Sequence, residues 1–171
     1  MDTFYEQLVS IKNTGKNLFL KMSIWFAAIF LIVIIGFLSA YLGAIAIMLM
    51  AGVIYLAWFI SNKFNIEYEY ILTNGEIDVD KITAKRKRKR ILNFKCADIE
   101  RMGKYRQAEH TNTNYSKTYV LCNLDENSMF AVVRHNTQGL ILIVFSPNGK
   151  LCEGMKKHLP RQVSRDAFNG N

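Results

Sequence analysis

The chain has 171 residues, half of them apolar, and a formal net charge of +8. This length accommodates either one soluble domain or a membrane anchor followed by a domain of roughly 100 residues. The distribution favours the anchor, because residues 22–60 contain no Asp, Glu, Lys, Arg or His. Three cysteines and three histidines are scattered along the chain, which excludes a disulfide framework and a zinc site with closely paired ligands.

The N-terminal segment, residues 1–21, combines polar residues with a few apolar ones at helical spacing. Phe4 and Leu8 are four residues apart, and Ile11 follows three residues later. This spacing predicts an amphipathic lead-in on the cytoplasmic surface of a membrane.

Residues 22–60 predict a two-helix transmembrane hairpin. A hydrocarbon core of about 30 Å needs roughly 20 apolar residues in a helix, and this stretch is long enough for two crossings with a short turn at residues 39–43. A buried helical hairpin of a soluble protein would keep a polar face, which neither helix has. A secretory signal peptide would end after one shorter apolar run.

Basic residues flank this hairpin on both sides. Lys12, Lys16 and Lys21 precede the first span and Lys63 follows the second, whereas the connecting turn is uncharged. The positive-inside rule therefore places both termini in the cytoplasm, with two spans in the inner (plasma) membrane of the cell.

Residues 64–160 predict a cytoplasmic domain that is rich in strands. Apolar and acidic residues alternate from Ile66 to Leu72, and Asn74-Gly75 then favours a two-residue hairpin turn with positive φ angles. Seven short strands are predicted in all: residues 66–72, 77–79, 88–94, 99–105, 118–124, 129–134 and 140–145.

A helix is predicted after the last strand. Ser146 is the predicted N-cap and Pro147 the first helical residue, while Leu151, Met155 and Leu159 recur every four residues before Pro160. The remaining residues, 161–171, are polar and predict a flexible tail.

The sequence Glu67–Ile82, the basic run after it, and the segments 145–147 and 159–161 carry a resemblance to a known group of proteins. The chain is similar to an uncharacterised bacterial family, a domain-of-unknown-function family, in which a transmembrane hairpin precedes a pleckstrin-homology-like (PH-like) domain. The resemblance implies an α+β membrane protein. Its domain would be a seven-stranded antiparallel split barrel or sandwich with a C-terminal capping helix, and no activity is implied.

The most conspicuous charged feature is a run of six cations: Lys85, Arg86, Lys87, Arg88, Lys89 and Arg90. One interpretation is contact with anionic lipid headgroups, which attract basic residues near the membrane surface. The other is a solvated edge strand whose like charges prevent edge pairing. Nucleic acid is a weaker hypothesis because no DNA- or RNA-reading motif accompanies the run.

Two pairs of carboxylates share strand faces, Glu67 with Glu69 and Asp78 with Asp80. Two neighbouring side chains supply too few oxygen ligands for Mg²⁺, so a solvated face with basic ion-pair partners is the preferred interpretation.

No catalytic motif is present, and no catalytic, metal-ligating or cofactor-binding residue is assigned. We therefore expect a non-enzymatic, membrane-anchored module that acts as a scaffold, binding a protein partner or a second copy of itself. The alternative is a charge-dependent sensor or binder of anionic lipid through residues 85–90. A membrane enzyme without a recognisable motif is the least favoured hypothesis.

Overall fold

The computed structural model describes residues 3–110 and 113–169. Their helices are α1 (Gly15–Phe37), α2 (Ser39–Leu42), α3 (Ala44–Asn62), α4 (Gln107–His110), α5 (Gly149–Lys156) and α6 (Arg161–Asn169). Their strands are β1 (Phe4–Ser10), β2 (Ile66–Thr73), β3 (Glu76–Thr83), β4 (Lys87–Lys95), β5 (Ile99–Lys104), β6 (Lys117–Val120), β7 (Met129–His135) and β8 (Gly139–Phe145).

The chain divides into two compact units. The helical unit contains residues 12–66 and 83–87, and the sheet unit contains residues 1–11, 67–82 and 88–171. The helical unit thus combines the apolar hairpin with the tip of the β3–β4 hairpin. Each unit is described by itself below.

In the helical unit, α1 and α3 pack against each other, and α2 lies in their short connection. Both long helices have the length and composition to cross a membrane, and few of their side chains are buried. The core helix of a soluble protein would be mostly buried. The first helix begins at Gly15 and not at Met22, so residues 15–21 belong to the helix and not to a separate lead-in. Lys21 Nζ donates to Asn65 Oδ1 at 2.8 Å.

The sheet unit contains two four-stranded sheets, in the orders β1-β2-β3-β4 and β5-β7-β8-β6. They form no closed barrel. The seven predicted strands are all present, and an eighth precedes them among the described residues. The expectation of a wholly antiparallel arrangement is wrong at β6, which pairs with β8 in parallel.

The eighth strand, β1, corrects the prediction of a helical lead-in. Phe4–Ser10 pairs antiparallel with β2, with Phe4 opposite Thr73 and Ser10 opposite Glu67. A spacing of four residues fits a strand face as well as a helix face, which explains the error. Gln7 fixes the strand further: its Nε2 donates to the Ser146 carbonyl and its Oε1 accepts from the Asn148 amide, both at 2.8 Å.

One hydrophobic core joins the two sheets. Leu72 and Ile77 from the first sheet and Val133 and Ile143 from the second are all 2 % exposed or less. Between them, the Tyr70 hydroxyl donates to the Leu121 carbonyl at 2.7 Å. A smaller cluster on the other face of the second sheet explains why β7 and β8 are almost continuously apolar.

The predicted Asn74-Gly75 turn is confirmed, with φ angles of 50° and 87°. In the sheet unit, His158 lies so close that a Cβ at Gly75 would stand 2.8 Å from its Cγ.

Two helices follow β8, where one had been predicted. Asn148 and not Ser146 caps α5, accepting from the Leu151 amide at 2.8 Å. The expected flexible tail is wrong for residues 161–169, which form α6, and residues 170 and 171 lie outside the described part. Val163 and Phe168 of α6 pack against the main core.

Candidate functional site

The β3–β4 hairpin contains the entire basic run. All six cations are exposed, but they are not equivalent. Successive side chains of a strand normally point to opposite faces of the sheet. Ile91 and Leu92 both pack against the core, so this alternation is interrupted immediately after the run. As a result, Arg88 and Arg90 reach acidic residues of the neighbouring strands.

These two arginines form the ion pairs that the sequence predicted. Arg88 Nη2 lies 2.9 Å from Glu69 Oε1. Arg90 binds two carboxylates, with Nη1 at 2.9 Å from Asp78 Oδ2 and Nε at 3.1 Å from Asp80 Oδ1. These two arginines are thereby committed to contacts within the sheet unit.

The acidic partners are less solvated than predicted. Glu69 and Asp80 are only 3 % and 4 % exposed, so the expectation of a solvated face is wrong for them. Glu69 Oε2 is buried without a hydrogen-bond partner among the described residues. Burial raises the pKa of the Glu69 carboxyl, the nearby Glu6 carboxyl raises it further, and Arg88 opposes the rise.

The tip of the hairpin has an unusual backbone. Ala84 and Lys85 both have positive φ angles, of 56° and 54°, where hairpin turns favour Asn or Gly. The Arg86 amide donates to the Thr83 carbonyl at 3.1 Å, and the Ala84 amide donates to the Asn65 carbonyl at 2.9 Å. The second contact links the tip to the chain just after α3.

An aromatic contact reinforces this link. The Arg86 guanidinium lies over the Trp58 ring, 5.1 Å from its centroid. Trp58 is one turn before the end of α3, and a tryptophan at the end of a spanning helix prefers the headgroup level. The contact thus joins a cation of the run to an aromatic side chain near the end of α3, within the helical unit.

The lysines of the run lack such partners. Among the described residues, no carboxylate lies within ion-pair distance of Lys85, Lys87 or Lys89. Their ammonium groups are exposed and available to an external anion.

Charge is strongly segregated between the two units. The helical unit contains seven of the 22 Lys and Arg residues and none of the 14 Asp and Glu residues. The sheet unit therefore contains fifteen cations with fourteen acids, and nearly all of the net charge of +8 belongs to the helical unit.

The sheet unit also contains a buried histidine. His110 Nδ1 lies 2.9 Å from the Tyr115 hydroxyl, and the ring stacks on Tyr105 and meets Phe130 edge-on. Burial and the nearby Arg101 lower the pKa of His110. The neutral ring packs as part of the smaller cluster, and across residues 3–110 and 113–169 no three His, Cys, Asp or Glu side chains are placed to hold a metal ion.

Sequence reasoning found the basic run but missed the contact between Arg86 and Trp58 and the charge segregation. The signal for the segregation was available, because no acidic residue occurs between Glu6 and Glu67 or between Asp80 and Asp98. The contact with Trp58 joins residues 28 positions apart and has no local signature.

Comparison with known families gives one match: the family described as "Bacterial PH-like domain (DUF6106)" matches residues 1–165. The matched range begins before β1 and includes the apolar hairpin. Comparisons with curated proteins and with solved structures give no match.

Proposed function

The chain belongs to the bacterial PH-like domain family DUF6106, and on that premise we propose that it is a membrane-anchored, non-enzymatic scaffold that presents its sheet unit at the cytoplasmic face. The observation that carries the proposal is the pairing of β1 with β2 on either side of the apolar hairpin. Ser10 and Glu67 are direct neighbours in the sheet although 56 residues separate them in the chain.

This pairing supports a particular topology. If α1 and α3 cross the membrane, both ends of the hairpin must lie on the same side for the two strands to pair. Lys12 precedes α1, Lys16 and Lys21 lie in its N-terminal part, and Lys63 follows α3, so the positive-inside rule favours the cytoplasm as that side. Protease added outside intact cells should leave residues 67–169 uncut, and cleavage there would contradict the orientation.

The outer face of β1 supports partner binding. This strand lies at the edge of its sheet, where one side of its backbone is unpaired among the described strands. Phe4 and Leu8, on the face away from the core, are 61 % and 53 % exposed. An apolar edge strand of this kind favours addition of a strand from a partner or from a second copy.

Site-specific photocrosslinking tests this interaction. A photoreactive phenylalanine analogue at position 4 or 8 of the full-length protein should give a reproducible protein adduct in intact cells. The matched control is position 136, because Asn136 is exposed in the turn between β7 and β8 of the other sheet. Adducts that contain only lipid, or equal labelling from all three positions, would contradict the proposal.

The charge segregation favours a second candidate function, the binding of anionic lipid. The helical unit, which contains the two apolar helices, has seven Lys and Arg residues and no Asp or Glu. Basic residues close to an anionic surface contribute about 1 kcal/mol each at low ionic strength. Spin-labelled phosphatidylglycerol should associate with the protein in nanodiscs more strongly than spin-labelled phosphatidylcholine, and a ratio of one would remove this candidate.

A further inference from the structure

We propose that five residues of the basic run divide into two roles: Lys85, Arg86 and Lys87 bind anionic lipid headgroups, whereas Arg88 and Arg90 hold the sheet together and do not bind lipid. This inference rests on the anionic-lipid candidate above and assigns it to particular residues. The boundary between the two roles falls between Lys87 and Arg88, where the chain passes from the helical unit to the sheet unit.

The geometry of residues 83–87 supports the first role. The Ala84 amide is bonded to the carbonyl of Asn65, and Arg86 lies on Trp58, so the tip of the hairpin is held beside the end of α3. That end is where a spanning helix meets the headgroups. The turn in which Ala84 and Lys85 have positive φ projects Lys85 and Lys87 as exposed cations.

The contacts of the arginines support the second role. The guanidinium groups of Arg88 and Arg90 bind the carboxylates of Glu69, Asp78 and Asp80. A phosphate would have to displace these carboxylates, leaving the buried acids Glu69 and Asp80 without their counterions. An unpaired buried charge is strongly unfavourable, so breaking these ion pairs in order to bind a lipid phosphate would cost free energy.

The charge around the tip determines which class of ligand can bind there. No acidic residue belongs to the helical unit, so an anion at the tip meets Lys85, Arg86 and Lys87 without a carboxylate from that unit. The ligand must also lie beside the exposed apolar surface of α3. A phosphatidylglycerol-type headgroup at the edge of an acyl layer meets both conditions, which a soluble polyanion does not.

The test uses the full-length protein in nanodiscs with equal amounts of phosphatidylglycerol and phosphatidylcholine. Spin-label spectra give the association ratio of the two lipids for the wild type and for K85Q/K87Q. We expect the ratio to fall by up to about fivefold for each lysine at headgroup level, and the difference between the two proteins to shrink at high salt. An unchanged ratio in K85Q/K87Q would overturn the proposal.

Two further variants separate local contact from net charge and from folding. K150Q/K157Q removes two exposed lysines from the sheet unit and should leave the ratio unchanged. R88Q/R90Q should keep the ratio while lowering the stability of the sheet unit, measured by circular dichroism. An equal loss of lipid preference in K150Q/K157Q or in a folded R88Q/R90Q protein would refute the division of roles. A wild-type ratio of one would instead refute the lipid candidate itself.

Discussion

Glu69 is an acidic residue of the first sheet that is almost inaccessible to solvent. It lies opposite Leu8 in β1, on the face away from the main core, yet it is almost fully buried. One carboxylate oxygen binds Arg88, and the other has no partner among the described residues. Burial is the largest cause of its raised pKa, so the folded protein holds this proton more tightly than the unfolded chain does.

This shift predicts a pH dependence of stability. Because the folded-state pKa of Glu69 lies above the unfolded value, its contribution is most favourable below the unfolded pKa and is lost as pH rises through the folded pKa. The melting temperature of the wild type relative to Glu69→Gln should therefore fall as pH rises from about 4 to about 7. Thermal melts of the full-length protein across that range check it.

Glu67→Gln is the control for the loss of one negative charge. Glu67 lies two residues before Glu69 on the same face of β2, where it accepts an exposed hydrogen bond from Ser10. A wild-type melting temperature that rises with pH relative to Glu69→Gln would show that the Arg88 ion pair outweighs burial.

At the scale of elements, α5 packs against the first sheet through a glycine. A Cβ at Gly154 would lie 2.6 Å from Tyr5 Cδ2 and 2.7 Å from Leu72 Cδ2. The helix therefore approaches β1 and β2 more closely than any other residue at that position would allow. The contact also explains how β1 is held: its inner side chains lie beneath α5.

Gly154→Ala should destabilise the sheet unit by about 1–3 kcal/mol, because the added methyl overpacks a filled contact. The matched control is Gly149→Ala in the same helix, where a Cβ would meet nothing within 4 Å. Gly149 is the first residue of α5, so its replacement gains no more helical propensity than Gly154→Ala does, and a lower stability of Gly154→Ala therefore reports the clash. Chemical denaturation followed by circular dichroism measures it, and equal stabilities would contradict the close packing of α5 on β1.

The elements that sequence predicted correctly have local signals. Alternating residues identified β2, and Asn74-Gly75 identified its turn, because both depend on neighbours in the chain. The parallel pairing of β6 with β8 was not predictable, since it depends on how the whole sheet packs and not on neighbouring residues in the chain. In α6, the spacing of Val163, Ala167 and Phe168 was a readable amphipathic signal that the polar composition obscured.

The candidate site was predictable only in part, for the same reason. A run of six cations is visible in any sequence, and acidic partners in adjacent strands were expected. Which cations take those partners depends on the interruption at Ile91 and Leu92, a feature of strand geometry with no compositional signal. The sequence therefore identified the run but not which of its cations form ion pairs within the sheet.

At the scale of the whole molecule, the apolar hairpin is an insertion within the PH-like fold and not an anchor placed before it. The chain completes β1, forms α1 to α3, and returns to pair β2 with β1. Residues 64–160, the domain predicted from sequence, therefore lack one strand of the first sheet. They lose Tyr5 and Val9, which pack against the core, and Gln7, which binds the segment before α5.

This architecture predicts that the sheet unit folds without the hairpin once β1 is retained. Because Ser10 and Glu67 are paired in antiparallel strands, replacing residues 11–66 by Asn-Gly should join them as a two-residue β-hairpin. The shortened protein should be monodisperse without detergent and melt cooperatively. Residues 64–171 alone are the control and should be less stable by a few kcal/mol, on the order of the burial of two apolar side chains. If the joined protein needs detergent, or melts no higher than the control, β1 is not an integral strand of the domain.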